Sequence, residues 1–160
     1  MKNKERSLKN KKLLVDTSFL LPALGIKVEE NVMRTIEFFH QYEICYMEVS
    51  ILEAMWSILK LIPHNKLNII ERGIEAIRES YELVNPPPKA FIKAYEIYLN
   101  GHRDYIDNLI YATSTIQGLS LLTIDQQLIN FLKRKNYPTE NIITPEELIS
   151  KHITPHPSRI

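Results

Sequence analysis

Short apolar runs, each followed by a helical pattern, constrain the fold of this chain more than any other feature. They start the segments KLLVDTS, EICYMEVS, LSLLTID and NIITPEELIS, at 12–18, 43–50, 119–125 and 141–150. Each run is rich in strand-forming residues, and the apolar side chains that come after it recur three or four positions apart. Strands that alternate with helices predict an α/β layer sandwich built on a largely parallel sheet.

The helices are predicted from apolar spacing and from proline positions. They are expected within 19–24, 28–41, 51–62, 64–84, 89–99, 102–114, 126–136 and 144–150. Thr144 and Glu147 form a capping box at the start of the last one. The prolines at 86–88 separate two helices but are too short a segment to separate domains, and there is no internal repeat. We therefore expect a single domain over 13–150.

The two ends of the chain are expected to lie outside this domain. Residues 1–12 carry six Lys or Arg and one Glu, which leaves 14 bases and 18 acids in the rest of the chain. This basic segment is interpreted as flexible, either as a solvated tail or as an arm that contacts nucleic-acid phosphate. Residues 151–160 are expected to form a C-terminal tail. The mildly acidic remainder does not favour binding of nucleic acid through bulk charge.

Cysteine usage and hydropathy indicate the compartment. The single cysteine, Cys45, cannot form a disulfide within its own chain, and its apolar surroundings suggest a buried structural thiol. No apolar run approaches the roughly 20 residues of a membrane span, and the basic start is not followed by a signal-peptide core. We expect a soluble cytoplasmic protein without a membrane partner.

Carboxylates follow the predicted strands. Asp16 comes directly after the first strand and Asp125 directly after LSLLT, while Glu53 lies in the first turn of the helix after EICYMEVS. Asp104 and Asp107 open the helix of the segment HRDYIDNLIYATS. Ligands of open parallel sheets bind beyond the carboxyl ends of the strands. If these strands are neighbours, four or five carboxylates meet at one edge of the sheet.

A purely structural interpretation exists for each acid. Ser50 and Glu53 match an S-x-x-E capping box, and Asp104 and Asp125 can be the N-caps of their helices. Asp16 can cap the next helix or bind backbone in an Asx turn. Caps can equally be Ser, Thr or Asn, however, so capping alone does not require an acid at every turn along one edge.

Crowded carboxylates need a positive charge among them. Arg103 is the nearest cation in sequence, and a hard divalent cation is the alternative, because Mg²⁺ or Mn²⁺ binds oxygen ligands and phosphate. A zinc site is disfavoured, since Cys45 is alone and the five histidines lack ligand spacing. There is no glycine-rich phosphate loop and no Ser/His/Asp set. Acid-rich Mg²⁺ sites catalyse phosphoryl chemistry, and hydrolysis of a phosphodiester fits.

Four motifs together resemble those of the PIN-domain ribonucleases. LLVDTS resembles the first-strand motif, VSILEAMW the second, DYIDNLIYATS the third and LLTIDQQL the fourth. They occur in the family's order and span residues 13–132. The resemblance implies a three-layer α/β/α sandwich with a central, mainly parallel sheet. It also implies Mg²⁺- or Mn²⁺-dependent endoribonuclease activity.

The resemblance assigns roles by position. Asp16, Glu53, Asp107 and Asp125 would form the acidic metal-binding and catalytic cluster, with Asp16 and Asp107 as direct ligands. Three hydroxyl residues, Thr17, Ser18 and Thr123, would support the ligands, and Ser18 is the better match of the first two. Asp104 is an additional acid, expected to cap its helix or to reach the metal through water.

Two further residues are predicted to contact substrate. Arg103 is the cation next to the acids in sequence. Tyr111 lies one helical turn beyond Asp107 on the same helix face, so it is expected to line the cleft and to offer an aromatic ring to a base.

The biological role stays open between several alternatives. Many compact PIN proteins are toxins of VapBC-type pairs, which implies an antitoxin partner and a homodimer. This chain is longer than the most compact toxins, so an RNA-processing or RNA-decay nuclease without an antitoxin is the second reading. A non-catalytic module that binds RNA or protein is the third. Aspartate phosphotransfer enzymes are disfavoured, because the second Asp of their motif is absent after Asp16.

Overall fold

The chain forms a parallel five-stranded sheet in the computed structural model, which describes residues 11–61 and 66–153. The strands are β1 (Lys12–Val15), β2 (Glu43–Tyr46), β3 (Glu82–Leu83), β4 (Ser120–Leu122) and β5 (Ile142–Ile143). Their order is β3-β2-β1-β4-β5, and every neighbouring pair is parallel. The expected α/β/α sandwich with a parallel sheet is therefore confirmed.

Helices cover both faces of the sheet. They are α1 (Glu30–Ile36), α2 (Glu48–Leu61), α3 (Leu67–Ser80), α4 (Pro88–Leu99), α5 (Tyr105–Gln117), α6 (Gln126–Arg134) and α7 (Pro145–His152). Short 3-10 helices lie at Thr17–Phe19, Leu21–Leu24 and Phe39–Gln41. The capping box of Thr144 and Glu147 is present at the start of α7, as predicted.

Strand β1 lies at the centre of the sheet and divides the apolar core in two. Leu13 and Val15 pack on the face covered by α1, α2, α3 and α7, whereas Leu14 packs on the face covered by α4, α5 and α6. Leu14 pairs with Cys45 of β2 and with Leu121 of β4, and all three are fully buried. A strand with both faces buried needs a continuous apolar sequence, which explains the run Leu13–Val15. Each such side chain contributes roughly 1.5–3 kcal/mol through burial.

The Cys45 thiol is buried, as the sequence predicted. Burial raises its pKa to about 11, with the charge of Glu82 as a smaller contribution. A thiol in this environment stays protonated and unreactive at neutral pH.

The boundary between β2 and α2 differs from the sequence prediction. The strand ends at Tyr46 and the helix begins at Glu48, three residues before the expected start. Ser50 consequently lies inside the helix, with its N–H bonded to the Met47 carbonyl, and cannot be the N-cap. The proposed Ser50–Glu53 capping box is wrong, and Glu53 lies in the second turn of α2 instead of the first. The strand formers of EICYMEVS continued past the real strand end and hid the boundary.

A second difference concerns the predicted helix over 64–84. Residues 64 and 65 lie outside the described part of the chain, and α3 ends at Ser80. The next residues form β3, the edge strand, in which Glu82 pairs with Cys45 and Leu83 with Tyr46. Both β3 residues are exposed. A two-residue strand with no buried side chain has no detectable alternation, which is why the sequence pattern did not reveal it.

The predicted terminal segments lie mostly outside the described residues, at 1–10 and 154–160. Lys12 of the basic segment is the first residue of β1, and α7 extends through His152 of the predicted tail. His152 is held in place, because its Nε2 lies 2.9 Å from the Tyr42 hydroxyl and its ring stacks on Phe38. No helix within the described residues is long and apolar enough to cross a bilayer.

Gly73 allows α3 to approach the 3-10 helix at Leu21–Leu24 closely. A Cβ at this position would lie 2.2 Å from the Ala23 carbonyl oxygen and 2.8 Å from its carbon. We expect Gly73→Ala to lower the free energy of unfolding by about 1–3 kcal/mol through overpacking, although alanine is the better helix former. Urea denaturation measures this.

The matched control is Asn68→Ala, on the exposed side of the same helix. It removes no packing contact, so we expect a change within about 0.5 kcal/mol. Equal stability of the Gly73→Ala variant and the parent protein would contradict the close approach of α3 to Ala23.

Candidate active site

A cleft of about 430 Å³ opens at the carboxyl ends of β1 and β4. The strand order reverses here, since β1 leads to β2 on one side while β4 joins it on the other. This is the usual position of ligands in open parallel sheets. The cleft is lined by Asp16, Thr17, Ser18, Glu53, Asp104, Asp107, Ile124, Asp125, Gln126 and Gln127. All five acids that the sequence analysis singled out thus meet in one place.

Asp16 connects the two central strands at the base of the cleft. Its backbone N–H donates to the Leu122 carbonyl at 3.1 Å, so the ladder between β1 and β4 continues into the site. Its Oδ1 accepts the Ser18 N–H at 2.9 Å and its Oδ2 accepts the Ile124 N–H at 3.2 Å. Burial raises the pKa of Asp16 to about 6, and the Thr123 hydroxyl and these two amides limit the rise. The carboxylate is therefore fixed in place and costly to ionise without a cation.

Asp104 and Asp107 are placed by the start of α5. Asp104 is the N-cap, and its Oδ1 accepts the Asp107 N–H at 3.1 Å. Asp107 follows in the first turn with its carboxyl group half-buried. Desolvation, a hydrogen bond shared with Asp125 and the charges of Asp104, Asp125 and Glu53 together raise the pKa of Asp107 to about 9. Asp107 is thus protonated near neutral pH unless a cation binds.

Asp125 is the N-cap of α6 and the charged partner of Asp107. Its Oδ1 accepts the Leu128 N–H at 3.0 Å, and its own N–H donates to Thr123 Oγ1 at 3.0 Å. Desolvation acts to raise the pKa of Asp125. The hydrogen bond from Asp107, the helix amides and nearby His102 outweigh it and lower the pKa. Asp107 and Asp125 therefore share a single proton, which resides on Asp107.

Glu53 reaches the cleft from α2 on the other side of Asp104. Partial burial raises its pKa, the charge of Asp104 adds to this, and the Thr17 hydroxyl acts in the opposite direction. The buried Thr17 Oγ1 makes no hydrogen bond of ordinary geometry. A buried hydroxyl without an ordinary hydrogen bond, next to the Glu53 carboxyl, can accept a further polar partner in the cleft.

Three of these acids are close enough to bind one ion. Glu53, Asp104 and Asp107 each offer a carboxylate oxygen, and the three oxygens lie within 4.8 Å of one another. The donor set contains only oxygen, which suits a hard divalent cation better than zinc. Among the described residues, no Lys or Arg lines the cleft. Asp104, expected only to cap or to act through water, caps the helix and also joins this group.

Two of the three hydroxyl residues predicted to support the ligands line the cleft, and the third lies beside it. Thr17 and Ser18 line the cleft directly after Asp16. Thr123 lies just before the turn to α6, buried between Asp16 and Asp125, and contacts both. The Thr123 hydroxyl consequently links the two acids that follow the central strands.

The two residues predicted to contact substrate have different positions. Arg103 does not pair with the acids, and its guanidinium lies over the Tyr98 ring, 4.7 Å from the centroid. The prediction that Tyr111 lines the cleft is wrong. Tyr111 is fully buried in the core beneath the sheet edge, and its hydroxyl donates to the Pro138 carbonyl at 2.7 Å. A residue one helical turn beyond Asp107 lies further from the sheet edge, and its side chain therefore packs in the core.

Asn108 is a site residue that the sequence analysis missed. It is fully buried, and its Nδ2 donates to the His102 carbonyl at 2.8 Å and, at 3.5 Å, to the Ala94 carbonyl. Its Oδ1 accepts from His102 Nδ1 at 2.6 Å. These bonds hold the turn that carries Asp104 against α5 and α4. The sequence did offer one signal for this role: Asn108 follows the acid Asp107 near the start of the helix and falls on its buried face.

Comparison with known proteins agrees with this architecture. The sequence model of the PIN domain family matches residues 13–133. PAE2754 from Pyrobaculum aerophilum superposes with a TM-score of 0.59 at 18% identity, covering 88% of this chain and 94% of its own. A toxin-antitoxin complex from Klebsiella pneumoniae gives 0.57 at 15% identity, covering 83% and 97%. VapC20 from Mycobacterium tuberculosis, a sarcin-ricin loop cleaving toxin, gives 0.54 at 15%, covering 74% and 95%. No match is found among curated protein sequences.

The raised pKa of Asp107 predicts how the stability of the metal-free protein depends on pH. The pKa of Asp107 rises from 3.8 in the unfolded chain to about 9 in the folded one, so the folded state binds the proton more tightly over that pH range. The free energy of unfolding must then fall as pH rises through this window. We expect Asp107→Asn to weaken that fall and to raise stability at about pH 8 in EDTA, measured by urea denaturation at about pH 5 and pH 8.

Divalent metal provides the complementary measurement. A ligand that binds only the folded state raises the melting temperature, so Mg²⁺ or Mn²⁺ should stabilise the parent protein and have less effect on the Asp107→Asn variant. A pH dependence that is identical in the two proteins would contradict the proton shared by Asp107 and Asp125.

Removing the Asn108 amide is expected to loosen the turn before α5. Asn108→Ala leaves the His102 carbonyl and Nδ1 without their partner, which costs about 1–3 kcal/mol of unfolding free energy. It should also reduce the melting-temperature gain with Mn²⁺, because Asp104 is no longer held in place. Asn130→Ala is the control, since Asn130 is exposed and its side chain bonds Gln126, with no other partner among the described residues. If the two variants had the same free energy of unfolding and the same melting-temperature gain with Mn²⁺, Asn108 would not support the site.

Proposed function

The chain belongs to the PIN domain family, and from this premise we propose that it is a divalent-metal-dependent endoribonuclease. The observation that carries the proposal is the group formed by Glu53, Asp104 and Asp107, whose oxygens lie within 4.8 Å of one another in a cleft lined by two further acids. A protein that needed these residues only as caps would gain nothing from bringing five carboxylates together. The cost in desolvation and repulsion makes sense when a cation is bound.

We assign the cation-binding role to Asp16, Glu53, Asp107 and Asp125, with Asp104 as an additional ligand. The donor set favours Mg²⁺ or Mn²⁺. Bound there, the cation would polarise the scissile phosphate and favour ionisation of the attacking water. Asp16 contributes a carboxylate whose orientation is fixed by the amides of Ser18 and Ile124.

Before a cation binds, two of the proposed ligands, Asp107 and Asp125, differ in their hold on a proton. Asp125 is ionised and held by the amide at the start of α6, whereas Asp107 retains the shared proton. Loading the site requires the loss of that proton, so cation binding should strengthen as pH rises. Asp125 can then accept a hydrogen bond from the attacking water and orient it towards phosphorus.

RNA is the proposed substrate, with single-stranded segments as the form recognised. The similar protein VapC20 is a toxin that cleaves the sarcin-ricin loop, a segment of RNA. The cleft holds about 430 Å³ and opens to solvent, so a single strand can enter it. Sequence-specific RNA recognition generally relies on unpaired bases in loops.

A toxin role with an antitoxin partner is our proposal for the biological context. The Klebsiella pneumoniae relative is a toxin-antitoxin complex. Apolar side chains on α2 and α4 are more than half exposed here, among them Leu59, Ile92 and Leu99. Exposed apolar groups of this size favour a protein partner, either an antitoxin or a second copy of the chain in a homodimer. RNA processing or decay without an antitoxin is the alternative for the same catalytic site.

The decisive test is cleavage of a mixed-sequence single-stranded RNA by the purified full chain. We expect cleavage with Mg²⁺ or Mn²⁺ and none in EDTA. Asp16→Asn and Asp107→Asn should each reduce the rate by more than about a hundredfold, because even residues that only support a metal ligand cost 10–100-fold. Gel analysis of labelled RNA over time gives the rates.

Glu75→Gln is the matched control, since it removes one exposed carboxylate from α3. Its rate should equal that of the parent protein. Cleavage that persists in both Asp variants would reveal a contaminating nuclease, and metal-induced stabilisation without any cleavage of RNA would favour a non-catalytic module.

A further inference from the structure

Arg103 has an arrangement that the acidic cleft does not explain. It directly precedes Asp104, yet no ion pair joins it to a carboxylate among the described residues. Its guanidinium carbon lies over the Tyr98 ring, 4.7 Å from the centroid, and its side chain is exposed. A flexible cation beside several carboxylates would normally turn towards them. Stacking on Tyr98 holds the charge next to Asp104 along the chain but outside the residues that line the cleft.

We propose that Arg103, stacked on Tyr98, binds a phosphate of the RNA strand next to the scissile one. This inference rests on the proposed function of the acidic cleft. The guanidinium is planar and can bind phosphate with two parallel N–H donors, while its face rests on an aromatic ring. Its N–H groups are not engaged by protein carboxylates, so they are available to an external anion.

The backbone on both sides of Arg103 is fixed, which gives the anchor a defined position. On one side His102 is held by two hydrogen bonds with Asn108, at 2.8 Å and 2.6 Å. On the other side Asp104 caps α5 through the Asp107 N–H. The preceding turn closes tightly, because the Gly101 N–H donates to the Tyr98 carbonyl and Gly101 adopts a φ of 120°. A side chain that is already oriented loses less entropy when it binds its ligand.

The acidic cleft needs a positive group nearby to attract the RNA strand. The cleft repels phosphate until a cation binds, and among the described residues it contains no basic side chain. The helix that opens beside it, α5, carries no Lys or Arg along its length. Arg103 is thus the basic residue next to the acids along this part of the chain, and it can attract the strand without neutralising the metal ligands.

Equilibrium binding separates this role from catalysis. The full chain carrying Asp16→Asn serves as a non-cleaving background, and a short fluorescein-labelled single-stranded RNA of mixed sequence is titrated in Mg²⁺ by anisotropy. Adding Arg103→Gln should weaken binding about tenfold, the effect of losing one charge-assisted hydrogen-bonded contact. The slope of log K against log salt should become shallower by about 0.7, the value for one phosphate contact with a single strand.

Arg134→Gln in the same background is the matched control. Arg134 also stacks on an aromatic ring, Phe131, with 5.7 Å to the centroid, but it lies in the last turn of α6, whose first turn faces the cleft. The Arg134→Gln substitution removes the same charge and should leave the slope of log K against log salt unchanged. Arg103→Lys keeps the charge and should retain the slope while losing part of the affinity, because a lysine lacks the planar fork.

Each outcome decides the proposal. A weaker affinity and shallower slope confined to Arg103→Gln, with an unchanged melting temperature, would support it. Equal weakening by Arg103→Gln and Arg134→Gln would reduce Arg103 to bulk charge and overturn it, as would unchanged binding. RNA cleavage by the parent protein with no effect of Arg103→Gln would reject the anchor alone, whereas absence of both cleavage and binding would reject the proposed function as well.

Discussion

Crowding of like charges at one edge of the sheet is the constraint on which the rest of this structure depends. Five carboxylates share a cleft in which burial disfavours their charged forms. The protein tolerates them by assigning different protonation states. Burial raises the pKa of Asp16 to about 6, Asp107 keeps a proton and Asp125 gives it up. Retaining this proton lowers the repulsion among the carboxylates at the edge.

Helix capping and metal binding are compatible in this fold. Asp104 and Asp125 each accept a backbone N–H at the start of a helix with one oxygen, and both side chains also line the cleft. The hydrogen bond from the helix N–H orients the carboxylate, so no additional residue is needed to hold it. The capping interpretation of Asp104 and Asp125 is confirmed, and it leaves their proposed role as metal ligands possible in the same geometry.

Most of the fold and the acids of the site could be predicted from the sequence, because both follow from residues adjacent along the chain. Asp16 and Asp125 come directly after apolar strands, so their position at the sheet edge follows from the period of the pattern. The errors at the site arose where distant residues decide. Tyr111 has the correct spacing from Asp107, but packing under the edge, with a hydrogen bond to Pro138, buries it. The support that Asn108 gives to His102 likewise depends on how a turn folds back, which local patterns do not encode.

The hydrogen bond from the Ile124 amide to Asp16 joins residues 108 positions apart in sequence. Strand β1 is synthesised first, but its neighbour β4 and the caps of α5 and α6 leave the ribosome much later. Chains emerge at about 5–20 residues per second, so the acidic edge stays open for several seconds after β1 appears. No truncated product that ends before residue 125 can assemble it. A complete cleft therefore forms only after Asp125 and the start of α6 that it caps have left the ribosome.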